Sequence, residues 1–244
     1  YDYHRFESNL LKLDILGHDD PTVIKKLMDY VALFPDEFPF STVQEIPFLD
    51  QQVLSIFSSK EALKLKGEEV DTLISGTKGI PEFGTNYVRE ILNDIGPKTF
   101  ADLVSISGLS HGTNVWLGNA RDLLFAFSMT KEPIPFSKLI CCRDDIMVDL
   151  LNYGLEDSDA FSIMEHVRKG KGLTEQERMI MDEHQVPMWY QLSCQKIKYM
   201  FPKAHATAYV IMALRIGWFK VHRPIYYYAA YFSCRAKSFD VEVF

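Results

Sequence analysis

The sequence lacks several features that would assign it to a particular class of protein. It has no run of about eighteen apolar residues, so no membrane-spanning helix is predicted. No basic-then-apolar leader stands at its start either. Its cysteines contain no CxxC pair, so we expect reduced thiols of a cytoplasmic protein and no zinc site. These cysteines are Cys141, Cys142, Cys194 and Cys234. The missing initiator methionine predicts a piece of a longer chain.

Positive charge is also scarce. The formal net charge is −7, whereas a protein that wraps a nucleic-acid duplex usually presents a basic surface. The Gly-rich stretch Ser75–Gly79 lacks the GxxxxGK[ST] spacing of a phosphate-binding loop. Basic residues do cluster locally, at 168–171 and at 196–203. The sequence therefore predicts capture of a single triphosphate, with weak affinity for DNA.

The composition and pattern predict a mainly helical fold. The 244 residues, 47% hydrophobic and 24% charged, are typical of a folded chain with a sizeable core. Alternating polarity over 11–16 predicts one short strand carrying Asp14. Asp20 is a predicted N-cap, followed by Pro21 as the first residue of a helix. Further helix starts are predicted at three capping threonines: Thr85, Thr99 and Thr174. The fold class is mainly α, with a short N-terminal β segment.

The stretch Gln195–Arg215 is the most distinctive part of the chain. Cations and aromatic rings are interleaved near its start, and an apolar helical stripe follows. The residues concerned are Tyr199, Phe201, Lys203 and His205. Cations and rings at the start of a buried helix can bind a phosphate and stack on a flat ring together. The alternative is an ordinary helix start after Pro202, with solvated lysines.

A second candidate segment precedes Gly112. The composition of residues 107–113 predicts a polar, glycine-containing loop between two helices, with Ser107, Gly108, Leu109, Ser110 and His111 as its candidate residues. Small side chains would let the edge of a flat ring lie close to the backbone, with hydroxyl and imidazole groups as hydrogen-bonding partners. The alternative is a purely structural loop in which His111 caps a helix.

A third candidate segment is basic. Arg168, Lys169 and Lys171 flank two glycines, which allow a backbone to approach a phosphate closely, and arginine can bind two of its oxygens. The alternative is a helix C terminus whose cations suit the helix dipole. Arg143 is a further candidate, for which a surface ion pair with Asp144 or Asp145 is the alternative.

Asp14 is the candidate catalytic residue. A carboxylate on a strand that ends before a Gly turn lies at a sheet edge, where it can hold a hard cation such as Mg²⁺ rigidly. The alternative is a structural aspartate paired with Lys12 or with a turn amide.

Six motifs, in order along the chain, resemble the C-family replicative DNA polymerases of bacteria, specifically the PolC type of the DNA polymerase III alpha subunit. They are LLKLDILGHDDPT, GIPEFGTNYVR, SGLSHGTNVWLGNA, CCRDDIMVDL, VRKGKGLT and KIKYMFPKAHATAY. The resemblance implies that residues 1–20 are the end of a palm domain and residues 21–244 a helical fingers domain. It implies a DNA-directed DNA polymerase that uses dNTP, primer–template DNA and Mg²⁺, and contacts other replisome subunits through parts absent here.

The resemblance also implies roles for the candidate residues. Asp14 would be a metal-linked catalytic aspartate whose two partner carboxylates lie elsewhere, so this piece alone should not polymerise. The remaining candidates would bind nucleotide or an inhibitor: Ser107, Gly108, Leu109, Ser110, His111, Arg143, Arg168, Lys169, Lys171, Tyr199, Phe201, Lys203 and His205. A pocket between SGLSHGT and KYMFPKAH would accept a purine-like compound with an aromatic tail.

Two rival functions remain open. The acidic balance and an expected exposed aromatic segment, Phe34–Phe48, would suit a helical protein-interaction module without nucleotide binding. A general helical nucleic-acid binder is the other, and it should show a steep salt dependence. No membrane partner is expected.

Overall fold

The computed structural model describes residue 5, residues 9–10, residues 17–66 and residues 74–235. These residues are mainly helical, which confirms the predicted fold class, and no strand occurs among them. The predicted strand around Asp14 lies outside the described residues.

Eleven α-helices occur in the described ranges: α1 (Asp20–Leu33), α2 (Gln51–Ser55), α3 (Asn86–Ile95), α4 (Phe100–His111), α5 (Arg121–Leu124), α6 (Arg143–Asn152), α7 (Asp157–Arg168), α8 (Glu175–Glu183), α9 (Met188–Lys196), α10 (Lys203–His222) and α11 (Pro224–Arg235). Short 3₁₀ turns lie at Pro35–Glu37, Val43–Glu45, Glu61–Leu63 and Phe136–Lys138, and a π-type turn lies at Trp116–Ala120. Not one of these helices combines the length and the apolar content needed to cross a membrane.

Helix α10 is the axis of the fold. It packs against α1, α2, α4 and α11, while α6 and α7 pair with each other and α3 packs on α4. The apolar residues that recur along α10 are buried, and those with no exposed surface include Val210, Ala213, Leu214 and Ile216. Because neighbours surround it on several sides, α10 buries most of its circumference beyond the first turn.

Side-chain capping explains where several helices begin. The Thr85 hydroxyl accepts a hydrogen bond from the Val88 amide, and Thr99 and Thr174 form capping boxes, as predicted. The predicted cap at Asp20 is wrong. Helix α1 includes Asp20, and no side chain caps its first turn. The Asp20 carboxylate instead faces Arg235, with 3.6 Å between Oδ1 and Nη2.

Residues 107–111 are the last turns of α4 and not the loop that was predicted. A Cβ on Gly108 would lie 2.4 Å from the Cys142 sulphur and 2.5 Å from the Cys141 carbonyl oxygen. The glycine therefore serves close packing of a helix on a neighbouring backbone. Sequence alone could not distinguish this use of glycine from a helix end.

The segment Phe34–Phe48 is less exposed than the interaction-module hypothesis requires. Phe38 and Phe40 are buried and contact Phe219, with ring centroids 5.8 and 5.7 Å away. Phe34 remains 46% exposed. The aromatic residues at the centre of this segment belong to the hydrophobic core, so the expectation of an exposed aromatic segment was wrong for them.

Candidate functional site

The linker segment Lys198–Phe201, between α9 and α10, is bound by the backbone of three other motifs. Thr113, just after α4, donates a 2.9 Å hydrogen bond to the segment and accepts a 3.0 Å one from it. The Arg168 carbonyl, at the end of α7, accepts a 3.3 Å hydrogen bond from the segment, and the Arg143 amide, at the start of α6, donates a 3.2 Å one to it. Motifs far apart in sequence therefore meet at the linker segment.

Gly170 allows residues 168–171, which we call the basic turn, to lie against the linker segment. Its φ of +72° is in the left-handed region, and a Cβ there would lie 2.4 Å from the Lys198 carbonyl oxygen. The close approach that glycine permits at this position is to the chain itself. The sequence-based expectation was an approach to a phosphate.

The cations of the basic turn are largely paired. Arg168 donates hydrogen bonds to both carboxylate oxygens of Glu165, the one from Nη2 spanning 2.8 Å, and Lys169 Nζ lies 2.8 Å from Glu165 Oε2. These partners, Arg168 first, lower the pKa of Glu165 to about 2. Lys171 is exposed and its amine has no partner among the described residues. It is therefore the cation of this turn that is most accessible to an external anion.

Helix α6 positions Lys203 at the start of α10. The Lys203 amide donates to Asp144 Oδ2 at 2.7 Å, and its Nζ donates to Asp145 Oδ1 at 2.7 Å. The hydrogen bond to Asp145 raises the pKa of Lys203. Neither carboxylate pairs with Arg143, whose guanidinium has no partner in the part of the chain that the structure describes. The proposed surface ion pair of Arg143 is therefore not formed.

Five rings gather beside the linker segment and form what we call the ring cluster: His18, His111, Phe201, His205 and Tyr209. The rings of His111 and Phe201 stack at a centroid distance of 4.6 Å, and that of His205 lies 5.3 Å from Phe201. Tyr209 lies parallel to His111 at 6.2 Å, and its hydroxyl is 3.1 Å from His18 Nε2. Tyr209 is half-buried.

His111 lies between two hydrogen-bond acceptors. Its Nδ1 is 2.7 Å from the Ser107 carbonyl oxygen and its Nε2 is 2.6 Å from Glu82 Oε2. Burial opposes the charged form, but the bonds to Glu82 and Ser107 outweigh it and raise the pKa of His111. The hydrogen bond between His111 and Glu82 also lowers the pKa of Glu82. Two acceptors favour an imidazolium ring that donates from both nitrogens.

The candidate binding residues at the end of α4 differ in their exposure. Ser107 and Leu109 are buried, and Gly108 packs against the Cys141–Cys142 backbone. Only Ser110 and His111 of this segment are partly exposed. At the linker segment, Tyr199 is 46% exposed. The accessible part of the predicted site is thus narrower than the sequence motif.

Sequence reasoning missed Glu82 and gave no role to His18. Both lie inside quoted motifs, GIPEFGTNYVR and LLKLDILGHDDPT. Glu82 has a φ of +66°, which is uncommon for a residue other than glycine and can mark a functional position. This backbone conformation is not visible in the sequence. The candidate catalytic residue Asp14 lies outside the described residues, and its role stays a prediction.

Comparisons with known proteins agree on one family. Residues 20–186 match the family described as "Bacterial DNA polymerase III alpha subunit finger domain". The chain is 54% identical over 242 residues to the protein named "DNA polymerase III PolC-type" in Staphylococcus aureus strains MW2, USA300 and NCTC 8325. The match covers 99% of this chain and 16% of each relative. The chain therefore spans 16% of the length of these curated relatives.

Proposed function

The chain belongs to the finger-domain family of the bacterial DNA polymerase III alpha subunit, and on that premise we propose that it binds the incoming dNTP and the nascent base pair during DNA synthesis. The observation that carries the proposal is the meeting of the basic turn, the start of α6, the end of α4 and the start of α10 at Lys198–Phe201. A site built from several segments can hold the phosphate, sugar and base parts of one ligand in a defined geometry.

The triphosphate would bind first to the cations without an internal partner. Arg143 and Lys171 have no side-chain partner among the described residues, so their binding to phosphate breaks no ion pair. Lys203 and Arg168 are held by carboxylates, and they would have to exchange these partners for phosphate oxygens. Phosphoryl transfer depends on such positioning and charge stabilisation and needs no protein nucleophile.

The ring cluster would supply the stacking surface for a base. Its rings include Phe201, at the end of the linker segment, and His205, in the first turn of α10. Since His111 and Phe201 already stack on each other, a flat ligand would take an outer face of the stack or separate the two rings. The same surface would accept the guanine-like part of an arylalkyl inhibitor.

The complete reaction requires parts of a longer protein. In that protein we place Asp14 among the ligands of Mg²⁺, which would neutralise triphosphate charge during attack by the primer 3′ hydroxyl. Primer–template DNA and other replisome subunits would bind largely outside this chain. The chain alone, with a single aspartate of this set, would bind nucleotide without polymerising it.

Thermal unfolding in increasing dNTP and Mg²⁺ tests the proposal. A ligand that binds only the folded state raises Tm as its concentration increases, so millimolar dNTP should raise the Tm of this chain. The change Arg143→Ala removes a charged donor, and we expect about a tenfold weaker dNTP affinity. Lys25→Ala is the matched control, because Lys25 is an exposed cation on α1 whose partner is Asp29.

Two outcomes would contradict the proposal. One is a Tm of the unmodified chain that does not change at millimolar dNTP. The other is an equal loss of affinity in Arg143→Ala and Lys25→Ala, which would indicate unspecific attraction between anions and surface cations. Either result would favour the interaction-module hypothesis.

A further inference from the structure

Three potential metal ligands lie close together at the edge of the ring cluster, and one of them, His18, belongs to it. His18 precedes α1, Asp20 lies in its first turn, and Glu82 belongs to the loop before α3. One ligand atom from each side chain lies within 4.8 Å of the other two. Imidazole nitrogen and carboxylate oxygen at such separations can coordinate a common ion after small rotations of the side chains.

Asp20 provides an independent indication that a cation is needed here. Its side chain is 10% exposed, and no described residue donates a hydrogen bond to its carboxylate. The nearest cation in the described ranges is Arg235, with 3.6 Å between Nη2 and Oδ1. Burial raises the pKa of Asp20, with Arg235 opposing the effect. Buried carboxylates are normally paired and hydrogen-bonded, so this one is incompletely satisfied.

The neighbours of the other two ligands hold them in place. Glu82 Oε2 is 2.6 Å from His111 Nε2, while Glu82 Oε1 has no partner in the described chain and is available. The Tyr209 hydroxyl lies 3.1 Å from His18 Nε2. Hydrogen bonds of this kind orient the ligands of protein metal sites.

We propose that His18, Asp20 and Glu82 bind one divalent transition-metal ion, of which Zn²⁺ and Mn²⁺ are the best representatives. One nitrogen and two carboxylate oxygens form a ligand set that these ions accept, with water in the open positions. Mg²⁺ prefers oxygen ligands and retains its water, so it should bind more weakly. The ion would connect the segment before α1 to the loop before α3.

The proposal also assigns a role to Arg235. Among the described residues its guanidinium is the cation nearest to Asp20, and its Nε is buried without a hydrogen-bond partner there. A second positive charge beside the site opposes the binding of a divalent ion. Arg235 therefore competes with the metal for Asp20, which distinguishes this site from a simple surface cluster of acids.

Zinc binding to the full 244-residue chain tests the site. After dialysis against Zn²⁺ and removal of excess metal, we expect one Zn²⁺ per chain by elemental analysis, and a single site by calorimetry. His18→Ala removes an exposed ligand, so the fold should persist while affinity falls by at least about tenfold. His184→Ala is the control, because His184 is a half-buried histidine that is not one of the three proposed ligands, and its Nδ1 lies near the Tyr153 carbonyl oxygen. Equal zinc content in both variants, or none in the unmodified chain, would overturn the proposal.

A second variant tests the predicted competition. Arg235→Gln should bind Zn²⁺ several-fold more tightly than the unmodified chain, because the competing charge is gone. Glu82→Gln should bind it more weakly. Circular dichroism verifies that each variant keeps its helix content. Unchanged or weaker zinc binding by a folded Arg235→Gln variant would overturn the assignment, since it would mean that Arg235 does not compete with a metal ion for Asp20.

Discussion

The two ends of α10 both gather aromatic rings, but the rings have different surroundings. At the C-terminal end, Phe219 has no exposed surface and Trp218 is 6% exposed, and both contact Phe40. At the N-terminal end, the rings of the ring cluster are exposed or half-buried and lie against carboxylates, carbonyls and other imidazoles. Aromatic content alone therefore does not distinguish a core from a binding surface, whereas polar partners do.

The largest expected effect is at the buried end. Phe219→Ala would remove a side chain that contacts the rings of Phe38 and Phe40, and leave a cavity around it. We expect a loss of about 3–5 kcal/mol in the free energy of unfolding. Urea denaturation of this variant and the unmodified chain measures the difference.

Phe201→Ala is the matched variant at the other end of α10. Phe201 is half-buried and stacks on His111, so its removal should cost less than about 2 kcal/mol. Phe201→Ala should also lower the dNTP affinity of the folded chain. That decrease should be larger than the one that Phe219→Ala causes in the molecules that remain folded. Equal stability losses in the two variants would remove the distinction between the two ends.

The next effect concerns Lys220, a charged residue at the buried end. Its amine donates to the carbonyl oxygens of Gly76, at 2.8 Å, and Lys78. Burial lowers the pKa of Lys220 to about 7. The unfolded chain then binds more protons than the folded chain above this pH, so stability should rise by about 2 kcal/mol between pH 7 and pH 9.

The variant Lys220→Met isolates this dependence. Its stability should not show this rise over the same interval, because the amine responsible for it is absent. Denaturant unfolding at pH 7, 8 and 9 gives the two profiles. A rise of the same size in both proteins would assign the pH dependence to another group.

Much of the fold could be predicted from sequence because its determinants are local. The Thr99 capping box joins residues three apart, and the apolar spacing of α10 is visible along one stretch of chain. Gly108 was misread, since the helix that contains it packs on Cys141 and Cys142, which are distant in sequence. A glycine needed for close packing and one that ends a helix look the same in a single sequence.

The candidate site could be predicted only as a set of motifs. Its contacts join residues far apart, such as Tyr209 and His18, or His111 and Glu82, and no periodic pattern encodes such pairs. The carboxylate partners of Lys203 and Arg168 were also hidden, although Glu165 is only three residues from Arg168. Three-residue spacing permits an ion pair on a helix but does not require one.

The smallest expected effect is the pH dependence of the His111–Glu82 pair, at the N-terminal end of α10. The raised pKa of His111 means that its charged form stabilises the fold fully below its ordinary pKa of 6.5, and this contribution is lost as pH rises through the folded value. The lowered pKa of Glu82 contributes above its ordinary value of 4.5 and is lost as pH falls through the folded value. Both contributions are present together between pH 4.5 and pH 6.5.

A double-mutant cycle of His111→Gln and Glu82→Gln measures this pair directly. Both side chains are mostly buried, so we expect a coupling of about 1 kcal/mol near pH 5.5 that is smaller at alkaline pH. His184→Gln, at a half-buried histidine bonded to the Tyr153 carbonyl and not to Glu82, is the control and should show no coupling to Glu82→Gln at either pH. A His111–Glu82 coupling that is the same at both pH values would mean that the pair is held by packing, as at the buried end of α10, and not by charge.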